Sequence, residues 1–143
     1  MTENGFFYSF WLRMSYVKGI LYPLCRFMLW LLSTLYGIQI HRKTKIGAGL
    51  KLNHGTCIII NGTAILGKNV TLHQFTTIGS WKNKAAIIGD NVIIGPRCSI
   101  VENVKIGNDV IIGAGSVVVN DLVDGSTAVG NPARVIKIYN KRI

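Results

Sequence analysis

The chain has 143 residues, the size of one domain, with sixteen Lys and Arg against six Asp and Glu and a formal net charge of +10. No acid occurs between Glu3 and Asp90, so paired-carboxylate hydrolysis and acidic calcium loops lack their material over that whole stretch. A hydrophobic content of 49% with only 15% charged residues argues against disorder.

Residues 6–36 are rich in aromatic and aliphatic side chains. Phe6, Phe10, Trp11, Met14 and Val17, then Ile20, Leu24, Phe27, Leu31 and Leu35, recur every three or four positions, which predicts two amphipathic helices. Gly19 and Pro23 separate them, and Gly37 is placed to end the second. The plainer reading of this stripe is packing against the rest of the protein or a sister subunit. The sharper one is a peripheral membrane contact, because Trp11, Tyr16, Tyr22 and Trp30 interleave with Arg13, Lys18 and Arg26. Met1 to Gly5 lacks the basic lead of a signal peptide, and the charge-free run Phe27 to Ile40 is too short to span a bilayer. The expected location is the cytoplasm.

Past Gly37 the period becomes six. Ile40, Ile46, Leu52, Ile58, Ala64, Val70, Thr76, Lys82, Ile88, Ile94, Ile100, Ile106, Ile112 and Val118 form one row, and eleven of its fourteen members are Ile, Leu or Val. The row keeps one phase throughout, broken only by Thr76 and Lys82. Neither a helix nor a half-buried hairpin strand has this period; a hexapeptide repeat coiling into a parallel β-helix does. Gly follows the aliphatic residue at 47, 89, 95, 107 and 113, where the chain turns, and thirteen of the sixteen glycines lie between Gly47 and Gly130. Three hexads close one triangular coil, so residues eighteen apart stack about 4.8 Å from each other, and Ile40 to Val118 makes a little over four coils.

The remaining motifs are weak. Gly47-Ala48-Gly49 and Gly113-Ala114-Gly115 lack the third glycine of a dinucleotide fingerprint. The bases are scattered, and no nucleic-acid partner is expected. Cys25, Cys57 and Cys98 have no metal-ligand spacing, so they read as reduced thiols, Cys98 as a small core residue, and no metal is expected.

The stretch Lys45 to Gly62, with Asn53-His54-Gly55-Thr56, together with Ile88-Gly-Asp-Asn-Val-Ile-Ile-Gly, Ile112-Gly-Ala-Gly-Ser and Val129-Gly-Asn-Pro-Ala-Arg134, resembles the hexapeptide-repeat acyltransferases, nearest their serine acetyltransferase branch. The resemblance covers about residues 38–137. It implies a mainly β fold, a left-handed parallel β-helix over residues 38–143 with a C-terminal tail, behind a short N-terminal helical segment at 1–37. It also implies a homotrimer with sites between subunits and acetyl transfer from acetyl-CoA to a hydroxyl. Serine acetyltransferases carry Asp where this chain has Gln39 and Asn53, and a second catalytic His in a loop after the Thr-x-Gly turn. Here Thr77 to Ala86 keeps to the hexad count and has no His. Shorter proteins of that branch, associated with surface polysaccharides, carry a His like His73 as well as one like His54. A sugar hydroxyl of a capsule or exopolysaccharide precursor is therefore the expected acceptor, with serine as the alternative. A non-catalytic trimeric scaffold at the membrane surface is the reading from another class.

Acetyl transfer to an alcohol needs a base, an oxyanion site and a pocket aligning both substrates. Histidine suits the first task. His41, beside Arg42 and Lys43, reads as an exposed turn cap. His54 and His73 fall on the same corner of neighbouring coils, one step off register, with His54 as general base and His73 binding the acceptor or assisting. Asn53, Gln39 or a backbone carbonyl would orient His54. Eighteen-residue coils put Asp90 on the same edge, where it would polarise His73. Gly79 and Ser80 are the expected oxyanion donors. Cys57 as a nucleophile is the covalent alternative, less favoured than a packing thiol. The family's CoA path implies Gly95, Ala114 and Gly130 for the pantetheine arm and Arg134 and Lys137 for the phosphates, with Lys141 and Arg142 behind them.

Overall fold

A computed structural model describes residues 3–17, 19–82, 84–139 and 141–142. Two helices, α1 (Glu3–Met14) and α2 (Tyr22–Tyr36), precede a column of short parallel strands. Pro23 sits in the first turn of α2, where a missing N–H costs nothing, and Gly37 closes the helix in the left-handed conformation at φ 66° with its N–H on Ser33 O.

The column has three faces. One stacks Gln39–Ile40, Ile59–Ile60, Thr77–Ile78, Ser99–Ile100 and Val117–Val118. The second stacks Lys45–Ile46, Ile65–Leu66, Ile87–Ile88 and Lys105–Ile106, with Leu122 bridging to Ile106 as a fifth level. The third stacks Lys51–Asn53, Thr71–His73, Ile93–Ile94, Ile111–Ile112 and Ser126–Gly130. Ala133–Ile138 then returns antiparallel along Ser126–Gly130, and Lys141–Arg142 pairs with Ala133–Ile138. The repeat thus makes four full coils and a fifth closed by the terminal strands.

Each hexad buries two residues. The second strand residue points inward, as with Leu52, Leu72, Ile94 and Ile112, and so does the residue two before it, as with Leu50, Val70, Val92 and Val110. Two polar members of that second column are satisfied locally, Thr76 Oγ1 donating to His73 O at 2.8 Å and Ser116 Oγ to Gly113 O at 2.7 Å, while Ser126 Oγ is buried with no partner among the described residues.

The register corrects the single unbroken phase. Ile40 sits on Ile60 and Leu52 on Leu72, twenty residues apart, because the corner at 54–57 holds two extra residues. Leu66 sits on Ile88 and Leu72 on Ile94, twenty-two apart, because Ser80–Trp81 and Lys84–Ala85 form an antiparallel hairpin outside the coil. Residues 77–86 therefore do not keep to the hexad count. Together the two insertions amount to one hexad, so a row read by sixes returns to phase at Ile88. Between them it runs along Ile58, Ala64, Val70 and Thr76, the other buried column, and meets solvent only at Lys82.

The corner glycines answer to the next coil rather than to the bend. A Cβ on Gly47 would lie 2.5 Å from the carbonyl of Gly67, and one on Gly89 would lie 2.8 Å from that of Gly107. Neither has a positive φ, so close backbone stacking, not conformation, requires glycine there.

The helices cover the open end of the column. Tyr8 and Leu12 of α1 pack with Ile38, Ile40, Leu52 and Ile58. A Cβ on Gly5 would collide with Leu52 O, so α1 lies directly on the first coil, and the Arg13 guanidinium donates to Ile46 O and Gly47 O. Burial pushes the Tyr8 phenol above its ordinary value of 10.0, against hydrogen bonds with Ser33 and the Ile40 N–H that pull it down. Most of the predicted stripe does not pack: Phe6, Phe10, Val17, Ile20, Leu24, Phe27 and Leu35 are exposed, while Trp11 packs against the core. Periodicity located an apolar face, but docking chose the narrower face carrying Gly5, Tyr8 and Leu12, which can approach the coil. Lys18 lies outside the described residues.

Candidate active site

The edge between the third and first faces carries both corner histidines. Asn53 pairs in register with His73, so the next position of each coil sets His54 against Gln74. The two extra residues let His54 and Cys57 adopt left-handed backbone, φ 50° and 49°. His54 is exposed and His73 half-buried. The same register continues the edge through Gly95 and Pro96, then Gly113 and Ala114, then Gly130. His54, His73, Gly95, Ala114 and Gly130 therefore share one edge, which spans about 19 Å at the parallel-strand spacing. Above the histidines it carries Gly95, Pro96, Gly113, Ala114, Val129 and Gly130.

The corner backbone is held coil to coil. Phe75 N–H donates to Thr56 O, Arg97 N–H to Gln74 O and Gly115 N–H to Pro96 O, at 2.8–3.0 Å. Beside this ladder the Arg97 guanidinium lies over the Phe75 ring, 5.8 Å from its centroid. Gln74 Oε1 is buried without a partner, an acceptor awaiting a donor. Neither Gln74 nor the Arg97–Phe75 pair was singled out from the sequence. The breaks at Thr76 and Lys82 were the available signal that the eighteen-residue arithmetic fails here.

Asp90 is not on this edge. With coils of twenty and twenty-two residues, the corner of His54 continues through Gln74 to Pro96. Asp90 instead lies between the second and third faces, where its Oδ1 accepts the Lys68 N–H at 2.7 Å and its own N–H donates to Asn108 Oδ1 at 2.8 Å. Beside it Asn69 Nδ2 donates to Asn91 Oδ1, and Asn91 Nδ2 to Asp109 Oδ1. That edge is closed by side-chain ladders, and Asp90 belongs to them.

Gly79 and Ser80 follow the first face, so the strand Thr77–Ile78 separates them from the histidine edge. The Gly79 N–H already donates to Ile100 O at 2.9 Å and is not an available oxyanion donor. Ser80 opens the hairpin, opposite Ala85. Gln39 begins the first face, against Ile59, and lines a cleft with Ser33, His41, Asn61 and Gly62. Among the described residues no hydrogen bond joins either Gln39 or Asn53 to the His54 ring. His41 is exposed and its Nδ1 accepts the Lys43 N–H at 3.1 Å, a turn cap as expected.

Cys57 is half-buried with its Sγ against Gly37, while Cys98 is buried, its thiol pushed above the ordinary value by desolvation and donating to Gly113 O at 3.1 Å. Arg134 lies opposite Val129, and Lys137 opposite both Thr127 and Arg142; all three basic residues are exposed. Lys141 and Arg142 form a paired strand rather than a loose tail, and Lys137 and Arg142 share a cleft of about 300 Å³ with Val135 and Ile136. No group of three His, Cys, Asp or Glu suited to a metal occurs among the described residues.

Comparison with known proteins places this geometry in context. Residues 85–120 match the family model described as bacterial transferase hexapeptide (six repeats). The chain is 37% identical over 128 residues to serine acetyltransferase of Helicobacter pylori, covering 87% of this chain and 71% of that protein. It is 43% identical over 108 residues to the mitochondrial serine acetyltransferase 3 of Arabidopsis thaliana, covering 73% of this chain but 28% of the plant protein. A solved serine acetyltransferase in complex with CoA superposes with a TM-score of 0.81 at 28% identity, over 95% of this chain and 58% of that one. The chain thus spans well under half of the plant relatives it matches.

Proposed function

The chain belongs to the hexapeptide-repeat transferases, in their serine acetyltransferase-like branch, and from that membership we propose that it is an acetyl-CoA-dependent O-acetyltransferase whose acceptor is the hydroxyl of serine. The observation that carries this reading is the 37% identity to the Helicobacter pylori enzyme across 87% of this chain. It reverses the order of acceptors expected from the sequence alone. There, a missing second His weighed toward sugars; the relatives weigh toward serine.

In the proposed reaction the acceptor lies on the edge between His54 and His73, with the acetyl thioester beside it and the CoA arm running along that edge past Gly95, Ala114 and Gly130. His54 removes the hydroxyl proton as the oxygen forms its bond to the thioester carbonyl carbon. The tetrahedral intermediate collapses with cleavage of the carbon–sulfur bond, and the proton held on His54 passes to the departing thiolate. The unpartnered Gln74 Oε1 meets a donor of the acceptor, and Arg134 and Lys137 meet the CoA phosphates. With no carboxylate between Glu3 and Asp90 and no described side-chain partner on its ring, His54 is oriented by a neutral acceptor contributed across a boundary with another copy in a trimer.

A sugar hydroxyl is the second reading, and a specific observation favours it: His73 lies beside Asn53, on the edge of His54, while the hairpin at Ser80–Ala85 brings no histidine. Incubating the purified protein with acetyl-CoA and either L-serine or a panel of nucleotide sugars, while following free thiol, tests both. Thiol release that depends on serine and disappears in His54→Ala supports the first reading. Release only with a sugar supports the second. Release from His54→Ala equal to that of the native protein removes His54 from the mechanism.

A further inference from the structure

The helix pair bears a surface that acetyl transfer does not use. While Tyr8 and Leu12 are sealed against the coil, Phe6, Phe10, Ile20, Leu24, Phe27 and Trp30 stand in solvent, Ile20 at 97% and Trp30 at 62% of full exposure. The Phe27 and Trp30 rings lie 5.9 Å apart, and exposed apolar side chains gathered in this way mark a binding surface. Next to it, between α1, α2 and the first coil, is a cleft of about 170 Å³ lined by Arg26, Arg42, Ser15, Ser33 and Trp30. Arg26 and Arg42 are exposed, and no carboxylate from residues 4–89 is there to neutralise them.

We propose that this face docks on a membrane surface, with the phosphate of an anionic phospholipid held between Arg26 and Arg42 and with Phe27 and Trp30 entering the boundary of the acyl chains. Guanidinium pairs match phosphate oxygens in geometry as well as charge. Trp30 lines the cleft and is also exposed, which suits an indole at a headgroup boundary. The fifteen residues of α2 are about 22 Å long, and no described helix is long and apolar enough to cross a bilayer, so the pair lies on the membrane rather than through it.

Charge decides against a second copy as the occupant. Copies related by an axis along the coil meet level with level, so this face would meet residues 4–89 of its neighbour, which also lack any acid. Arg26 and Arg42 would be covered there without a counter-ion, and uncompensated charge at an interface opposes it. The anion must come from outside, and an aromatic face beside it selects lipid.

The test is flotation of the full chain with vesicles of phosphatidylcholine alone and of equal parts phosphatidylcholine and phosphatidylglycerol. The protein is expected to float with the mixed vesicles, to stay down with the neutral ones, and to release at high salt. Arg26→Ala with Arg42→Ala should weaken partitioning about 30-fold, from about 5-fold for each base near an anionic surface. Phe27→Ser with Trp30→Ser should weaken it as well, and both double variants should keep the native circular dichroism melt, since all four side chains are exposed. Equal flotation with neutral vesicles overturns the proposal, as does flotation unchanged in the arginine variant. A lack of flotation with either vesicle, accompanied by a change of oligomer size in Phe27→Ser with Trp30→Ser, assigns the face to a second copy instead. Flotation needs neither acetyl-CoA nor acceptor, so its outcome is independent of the proposed reaction.

Discussion

Two edges of the same column have opposite character. The edge between the second and third faces is filled by side chains that bond to the next coil: Asp90 to Lys68 N–H, Asn108 to Asp90 N–H, Asp124 to Asn108 N–H. Both edges carry a backbone ladder, but at the edge between the third and first faces the side-chain bonds between coils come from the buried Thr76, Cys98 and Ser116, and His54, His73 and Gln74 make no side-chain hydrogen bond among the described residues. The first spends its polar groups on stability, and the second holds them available for a ligand. Charge distribution agrees, since five of the six acids lie at or beyond Asp90, and those at 90, 109 and 124 serve the closed edge.

The largest expected effect that sharpens this contrast is on the open edge. His54→Ala should lower kcat/KM for acetyl transfer by about 10²–10⁴-fold, the usual contribution of a general base, with the thermal midpoint unchanged because the ring is exposed. A midpoint that falls with activity would make His54 structural. Next comes the core that both edges share. Ile100 is fully buried between Ile78 and Val118, and Ile100→Ala should cost about 2–5 kcal/mol in denaturant unfolding.

On the closed edge the expected effect is smaller and of the other kind. Asp90→Ala releases the exposed Lys68 N–H to water and should cost about 0.5–1.5 kcal/mol of stability, while kcat and its pH profile stay as in the native protein. A shifted pH profile would return Asp90 to the catalytic edge. The gentlest effect concerns the helix cover. Because the folded Tyr8 phenol titrates above its ordinary 10.0, its contribution to stability is complete below that pH and is lost as pH rises through the folded value. Melting temperature should therefore decline in alkali, and Tyr8→Phe should flatten that decline.

The repeat itself was legible because burial in a β-helix is periodic. Ile88 through Val118 sit at the positions that counting by six assigns them. Counting failed between Leu52 and Ile88 for a physical reason: the hexad has two buried columns two residues apart, so a two-residue insertion moves the row from one to the other without exposing an apolar side chain. The placement of His54 beside the coil of His73 survived, since it depends on one short interval. That of Asp90 did not, since it accumulated both insertions. In the helices, the three-to-four spacing located two helical segments, yet most of the stripe it picked out stays outside. The docked face of α1 is marked by Gly5, Tyr8 and Leu12, and a glycine on a helix carries no apolar signal.

The most direct measurement of the central claim is free-thiol release from acetyl-CoA with L-serine by three purified proteins: native, His54→Ala and Asp90→Ala. The open edge predicts release by the native protein and by Asp90→Ala at the same rate per folded molecule, and a loss of at least about 100-fold in His54→Ala. Equal rates for native and His54→Ala, or a loss in Asp90→Ala as deep as that in His54→Ala, would contradict it.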